Sequence, residues 1–501
     1  MTPRTATTGH ARTWLGLALL VLPTLIVAMD LTALLLALPH LSADLGATAV
    51  EQLWISDAYG LTVAALVITM GTLGDRIGRR RLLLTGAAAF AALSLLAAFS
   101  TSPLMLIAAR ALLGVAGATL TPSTLALITT MFRDDHRRSR AIAVWATCQF
   151  TGGALGPVLA GLLLQHFRWN AIFLLAVPPM LVLLLTGPVL LPESRAPHPG
   201  RLDPASVALS LLAVLLLIYA LKQATTGNQP LLATAAFTAG IGLAAAFTRR
   251  QKHLPTPLLD LRLLRNPTFT AVLVALVGAG IAMAGTGLLI TQYLQGVRGH
   301  TPLATAVLFA PMGLGVAVGT LTAPALARRL APITAIATGL TVSALGTLLL
   351  LTDALPLILT GITVQALGTG PLFALGTGLI VSSVPPSRAG AAAAMSETGN
   401  YFGGSLGFAL LGVLATVVYR THMNGTSDSL PSALAASHHL PTPQATGLLT
   451  EARHAFTASL HVTALAAALV LTALAVLIHT TRKPLPSPRT GPPVASGHKQ
   501  R

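Results

Sequence analysis

The chain has little charge and almost no cysteine. Asp, Glu, Lys and Arg make up 9% of its 501 residues, against 53% hydrophobic residues, and the mean hydropathy is +0.76. A soluble protein of this length needs far more charge to cover its surface. That class is excluded, and a polytopic membrane protein with little soluble mass is expected. The single cysteine, Cys148, rules out an intrachain disulfide. Acids are scarcer than bases, 14 against 31, giving a formal net charge of +17. Such a balance often marks a nucleic-acid or anionic partner, but here the cations fall in short gaps between apolar runs. They report topology and not a nucleic-acid partner. Enzyme signatures are lacking too. No Walker A or HExxH motif occurs, so the chain would not be driven by its own ATP hydrolysis. Residues 403–407 match GxSxG around Ser405, but they lie inside an apolar run and not at a strand-to-helix elbow. His438 and His439 read as a solvated pair, and no metal site is expected. Asn424 begins a glycosylation-like triplet, which is weak evidence by itself.

What is present is a series of apolar runs near the length of ~20 residues that crosses ~30 Å of hydrocarbon as a helix. They fall at 14–38, 54–73, 82–100, 103–124, 141–164, 171–191, 205–221, 231–248, 268–293, 302–326, 333–351, 355–384, 389–418 and 458–480. The first is too long for a signal-peptide core and is kept as a span. Between the second and third runs lies GTLGDRIGRRR, residues 71–81, with Arg76, Arg79, Arg80 and Arg81 crowded into a short gap. The positive-inside rule makes that gap cytoplasmic and fixes the direction of every other crossing. On this map 25 of the 31 Lys and Arg lie inside, five (Arg168, Lys222, Arg298, Arg420 and Arg453) lie outside, and Arg110 falls within a span. The asymmetry supports fourteen spans with both termini cytoplasmic. Within the motif, Gly71 opens the gap, Gly74 and Gly78 permit a tight turn, and Asp75 can pair with a base or cap the next helix.

The halves repeat faintly. GTL at 71–73 recurs at 319–321, each followed by an arginine pair. GGALGPVLAG at 152–161, with Gly152, Gly156, Pro157 and Gly161, has a counterpart in GNYFGGSLG at 399–407. Small residues four apart let membrane helices pack backbone to backbone. The plain reading is generic helix packing. The matching positions in two halves instead suggest the repeated construction of secondary transporters.

Three acids lie at membrane depth: Asp30, Asp57 and Glu397. A carboxylate there costs ~3 kcal/mol or more on insertion scales, and normally faces a bundle interior or a water cavity. Asp30 is either a proton or cation site or half of a helix-stapling ion pair with Arg110. Asp57 lies nearer the interface and could instead cap a helix start. Arg110 has no acid near it in sequence and is expected to tune a carboxylate by proximity. A buried carboxylate that holds either a proton or a lipophilic cation couples the export of one to the entry of the other. Tyr59, Phe373 and Tyr401 are candidates to stack a planar cation, although lone aromatics at helical spacing more often pack.

These residues resemble a known family. GTLGDRIGRRRLL resembles the signature loop between helices 2 and 3 of the major facilitator superfamily. Residues 106–119, with Arg110, Gly114 and Gly117, resemble its fourth-helix motif linked to proton coupling. GGALGPVLAG resembles the fifth-helix antiporter motif, and MDLTALLLALP the first-helix motif of the fourteen-helix drug:proton antiporter branch. The run from Trp54 to Leu83 is similar to exporters of quaternary ammonium compounds and methyl viologen. The resemblance implies that Asp30 and Glu397 are coupling or cation-binding acids, Asp57 a supporting acid and Arg110 a proton-relay arginine. It implies that Asp75, Arg76 and Arg79 form a cytoplasmic gate and that Gly156 and Pro157 form the antiporter bend. Residues 311–321 carry no acid where some relatives that export divalent cations have one, and Ser396 and Tyr401 stand where some have acids. This favours monovalent or neutral lipophilic substrates.

The expectation is an all-α major-facilitator fold in the cell membrane. It divides into a cytoplasmic N-terminus (1–13), a first six-helix bundle (14–191), a proline-rich and basic linker with two additional helices (192–267), a second six-helix bundle (268–480, with a polar outer segment at 419–457) and a cytoplasmic tail (481–501). The expected activity is proton-coupled export of lipophilic, cationic drugs by a functional monomer, without a cofactor. The alternatives are a dedicated exporter of one secondary metabolite, a proton-driven importer, and a non-transporting sensor or scaffold. The last gains nothing from acids at membrane depth.

Overall fold

The structure is a computed structural model that describes residues 6–132, 134–195, 203–226, 230–254, 257, 259, 261–384 and 389–481. Residues 482–501 of the expected tail and 196–202 of the proline-rich linker lie outside the described residues.

Among the described residues every long element is a helix, because a helix satisfies its own backbone where lipid offers no partner. In the first half these are α1 (Ala6–Leu45), α2 (Ala49–Ile77), α3 (Arg79–Ala98), α4 (Pro103–Met131), α5 (Asp135–His166), α6 (Ala171–Leu174) and α7 (Val177–Leu190). The inserted pair is α8 (Pro204–Thr226) and α9 (Pro230–His253). The second half holds α10 (Pro267–Gln292), α11 (Pro302–Arg329), α12 (Pro332–Leu348), α13 (Leu355–Ser382), α14 (Ala389–His422), α15 (Leu430–Ser437) and α16 (Thr442–Thr480). Among the described residues, fourteen stretches are long and apolar enough to cross a membrane. Starts are set by local chemistry. Thr48 and Glu51 cap α2 reciprocally, and Ser102 and Thr301 cap α4 and α11 ahead of prolines at the first helical position.

The helix pairings of the two halves correspond. α1 packs on α5 as α10 does on α14, α2 on α4 as α11 on α13, and α3 on α4 and α7 as α12 on α13 and α16. The halves meet along two equivalent seams, α2 with α14 and α5 with α11. Of the inserted pair, α8 lies against α2 and α14 at one of these seams, and α9 packs on α8.

Three elements differ from the sequence reading. The sixth run is broken between α6 and α7, just before Pro178 and Pro179, since prolines lack the N–H that would continue α6. The polar segment 419–457 is largely helical. It holds α15, capped by Ser429, and the first four turns of α16. Finally, α8 continues to Thr226, which draws Lys222 into the helix and buries it completely. Its expected place in an exposed gap is therefore corrected. Lys222 is accommodated at a buried position because its ammonium finds a charged partner inside the protein.

Candidate functional site

At the arginine-rich end, the motif 71–81 builds a clasp within the first half. Gly78 separates α2 from α3 with φ of 115°, and a Cβ there would lie 2.6 Å from a Glu193 carboxylate oxygen. Only glycine has both the conformational freedom and the absence of side chain that this turn requires. Glu193 accepts from the Arg80 backbone N–H at 3.1 Å and has the Arg80 and Arg81 guanidinium groups at 3.9 and 4.0 Å. The Arg79 N–H donates to the Ser194 carbonyl at 2.9 Å. Arg80 donates to the Pro188 and Leu191 carbonyls at the end of α7. Asp75 pairs with Arg79 one turn on, at 2.5 Å. Arg76 is exposed, and Gly71 faces Pro122 of α4. Glu193, read from sequence as one loop acid among many, is central here. The signal that could have marked it is the excess of arginine in a gap with one acid of its own.

Near the middle of the first half, Asp30 of α1 pairs with Arg110 of α4, whose side chain is fully buried. Arg110 stacks over the Tyr59 ring of α2, 4.7 Å from its centroid, and its Nε donates to the Ile55 carbonyl at 3.4 Å. The ring fits because Gly114 and Gly117 have no side chains: a Cβ at these positions would lie 2.5 Å from the Tyr59 carbonyl and 2.6 Å from its hydroxyl. Arg110, expected to tune a carboxylate by proximity, is thus in direct contact with Asp30, and the tyrosine face expected to meet a planar cation is covered by a resident one. The glycine-rich stretch of α5 backs this cluster. A Cβ at Gly152 would lie 2.5 Å from the Leu25 carbonyl, and one at Gly156 would lie 2.8 Å from the Met29 carbonyl, beside Asp30. Gly161 belongs to the other seam, 2.9 Å by the same measure from Leu303 of α11, while Pro157 lies within α5.

Asp57 lies nine residues past the Thr48 cap, so it does not cap α2. It is fully buried, and the Lys222 ammonium of α8 lies 2.8 Å from each carboxylate oxygen. The same ammonium sits 3.8 Å from the centroid of the Trp54 ring, one turn earlier on α2. This pair joins positions 165 residues apart, beyond the reach of any sequence spacing.

Glu397 differs from both acids. No described residue forms an ion pair or hydrogen bond with it, and it is half-buried. Its direction follows from its helix face. Tyr401, one turn on, shares a hydrogen bond with Thr121 of α4 at 3.3 Å, and Ser405, a turn further, meets Gly60 of α2. The stripe 397–401–405 therefore looks across the seam at the first half. Phe373 packs on the core of the second half.

At the end opposite the arginines the halves are closed on one another. Leu53 of α2 covers Gly412 of α14, Gln295 donates to the Leu36 carbonyl at 3.3 Å, and Gly161 meets α11. A cavity lined by Leu38, Gln52, Leu53 and Gly412 there measures about 40 Å³.

Comparison with known proteins agrees with this architecture. The family model described as Major Facilitator Superfamily matches residues 20–352. "Multidrug efflux pump LfrA" of Mycolicibacterium smegmatis is 42% identical over 492 residues, covering 95% of this chain and 97% of the relative. "Methyl viologen resistance protein SmvA" of Salmonella typhimurium is 34% identical over 488 residues, covering 93% and 97%. Among solved structures, a bacterial homolog of the human lysosomal transporter Spinster, inward-facing and unoccupied, superimposes with a TM-score of 0.67. It is 16% identical and covers 94% of this chain and 99% of that one, a likeness of fold alone.

Proposed function

The chain belongs to the major facilitator superfamily, and from that premise we propose that it is a proton-coupled antiporter exporting lipophilic cations across the cell membrane. The observation that carries this reading is the contrast among the three deep acids. Asp30 and Asp57 each have a resident cation, while Glu397 faces the seam with no partner among the described residues. A carboxyl group at that depth is neutralised either by a proton or by a cationic guest. Binding one therefore releases the other. Tyr401 and Thr121 tie the Glu397 face of α14 to α4, so the state of that carboxyl bears on how the halves meet.

The orientation follows from the arginines. Their end lies in the cytoplasm, with both termini, and the closed end faces outward. The arrangement described is then the one that loads from the cytoplasm. The Glu193 clasp makes α2, α3 and α7 move as one body, so that the halves rock about the central seam. The relatives' names, a multidrug efflux pump for LfrA and methyl viologen resistance for SmvA, support the substrate class. The protein works as a monomer on a small lipophilic substrate and protons, with no enzymatic step and no cofactor, the proton gradient supplying the drive.

The test is dye movement in inverted membrane vesicles. Ethidium is expected to accumulate when the lumen is acid and to leak back when nigericin collapses the gradient. Accumulation driven by ATP with no gradient, or indifference to the gradient, would remove the proposal.

A further inference from the structure

At the arginine-rich end, beside the clasp, a cavity of about 440 Å³ opens where the starts of α1 and α3 meet the end of α7. Arg12, Thr13, Arg80, Met131, Pro188 and Val189 are on its wall. The last carbonyls of a helix have no partner within it. At the end of α7 two guanidinium groups serve them. Arg12 Nη2 donates to the Val189 carbonyl at 2.6 Å, and Arg80 Nη1 donates to the Pro188 and Leu191 carbonyls at 3.1 and 2.9 Å. Capping of α7 accounts for one nitrogen of each arginine. A guanidinium is a planar fork of donors on three nitrogens, and the other two of each group make no hydrogen bond among the described residues. The charged groups at this place are Arg12, Arg80, Arg81 and Glu193, so the cations outnumber the acid. Below them the wall is apolar and bare. Val189 is 68% exposed, Leu185 one turn deeper on α7 is 78% exposed, and Leu15 of α1 is exposed as well. Trp14, next to Thr13 and edge-on to Phe132 at 5.3 Å, stands at the rim, as amphipathic aromatics do at the level of lipid headgroups.

We propose that this cavity binds an acidic phospholipid of the cytoplasmic leaflet, with its phosphate held by Arg12 and Arg80 and an acyl chain laid along the Val189–Leu185 stripe. The inference rests on the cytoplasmic placement of the arginines and is independent of the export reading. Three features select this occupant. Two planar forks on one cavity match the oxygens of a phosphate. The aliphatic stripe starts at the same rim and runs towards the membrane interior, so a ligand that joins phosphate to hydrocarbon uses the whole site, whereas free phosphate uses only its rim. The cytoplasmic leaflet supplies acidic lipids, and basic pockets between membrane helices on that side take their headgroups. Arg80 also faces Glu193, so the bound lipid touches the clasp and joins it to the first helix.

Native mass spectrometry of the full chain in detergent, titrated with phosphatidylglycerol or with zwitterionic phosphatidylethanolamine of the same acyl chains, reads the affinity of the first bound lipid. Phosphatidylglycerol is expected to bind roughly tenfold more tightly or better, the contribution of two basic side chains at an acidic lipid surface. Arg12→Gln leaves the Glu193 clasp in place. It is expected to weaken phosphatidylglycerol about fivefold, the contribution of one such side chain, and to leave phosphatidylethanolamine unchanged. Arg80→Gln is expected to do the same. Should that variant fail to accumulate because the clasp is broken, Arg12→Gln decides alone. Val189→Glu, which sets an acid on the wall, is expected to remove the preference for phosphatidylglycerol. Arg249→Gln removes an exposed cation of α9 outside the cavity and is expected to change nothing. Equal affinity for the two lipids in the unsubstituted protein overturns the proposal. So does a loss in Arg249→Gln as large as that in Arg12→Gln, because the lipid then reads only the overall basic surface. Displacement of bound phosphatidylglycerol by millimolar inorganic phosphate also overturns it, since the ion alone then satisfies the site.

Discussion

The Asp30–Arg110 pair allows the sharpest quantitative test. The arginine side chain is fully buried and the aspartate side chain 9% exposed, so neither charge can turn to water when its partner is lost. Removing one member of a buried pair costs about 3–5 kcal/mol, whereas removing both is often close to neutral. Asp30→Asn strands Arg110 over Tyr59, and Arg110→Met strands Asp30 against α5. Each is expected to lower the unfolding free energy in mixed micelles by about 3 kcal/mol or more. The double variant is expected to lose far less than the sum, giving a coupling of about 3 kcal/mol, roughly a hundredfold in the folding equilibrium. Arg110→Lys is not a conservative rescue, because an ammonium cannot both pair with Asp30 and lie flat on the ring. Costs that add to within about 0.5 kcal/mol would refute the reasoning, since the two side chains would then be energetically independent despite their contact.

Three further outcomes follow from other contacts. Gly78→Ala forces a side chain into a turn with φ of 115° and onto Glu193. It is expected to cost more than ~1 kcal/mol and to abolish dye export, and Glu193→Gln should reproduce part of the loss in the same vesicle assay. Gly161→Leu is expected to wedge α5 from α11 where Leu303 now lies 2.9 Å from the position of a Cβ. Faster maleimide labelling of Leu303→Cys in that background checks it. At the start of α8, hydrogen bonds from Arg250 and then from Ser206 hold the Asp203 carboxyl well below the usual carboxylate range. A depressed folded value gives stability that is present above the unfolded pKa near ~4 and lost as pH falls towards the folded one. Asp203→Asn is therefore expected to destabilise the α8–α9 pair at pH 7 by no more than ~1 kcal/mol, the pair being partly exposed. The difference should vanish in acid, as read by hydrogen exchange along α8.

Much of the architecture was legible because lipid imposes a length and a polarity on every crossing. The apolar runs mark the spans, and the crowded arginines mark one end. The faint repeats correspond to equivalent pairings within the halves: Gly71 faces Pro122 of α4 as Gly319 packs on α13, and Gly156 packs on α1 as Gly403 packs on α10. Other features were illegible because they join residues far apart in the chain. Nothing near Asp57 announces Lys222, whose charge in sequence looks like the end of a span. Glu193 reads as one acid in a proline-rich linker until the turn at Gly78 presents the Arg80 backbone N–H and two guanidinium groups to it. The order of the polar segment 419–457 was not legible, because polarity alone does not separate a helix from a loop; there Ser429 caps a helix and Leu430 packs into a core. Arg110 shows both sides. Its motif marked it as important, and its partner was one of two readings of Asp30 that sequence could not separate.

The central claim is that Glu397 exchanges a proton for a cationic guest, and proton release measures this directly. Purified protein in weakly buffered detergent solution receives ethidium while the pH is followed. The unsubstituted protein is expected to release protons in proportion to the dye bound, and Glu397→Gln is expected to release none. Undiminished release from Glu397→Gln, with the same dye bound, would contradict the account and move the exchange to another group.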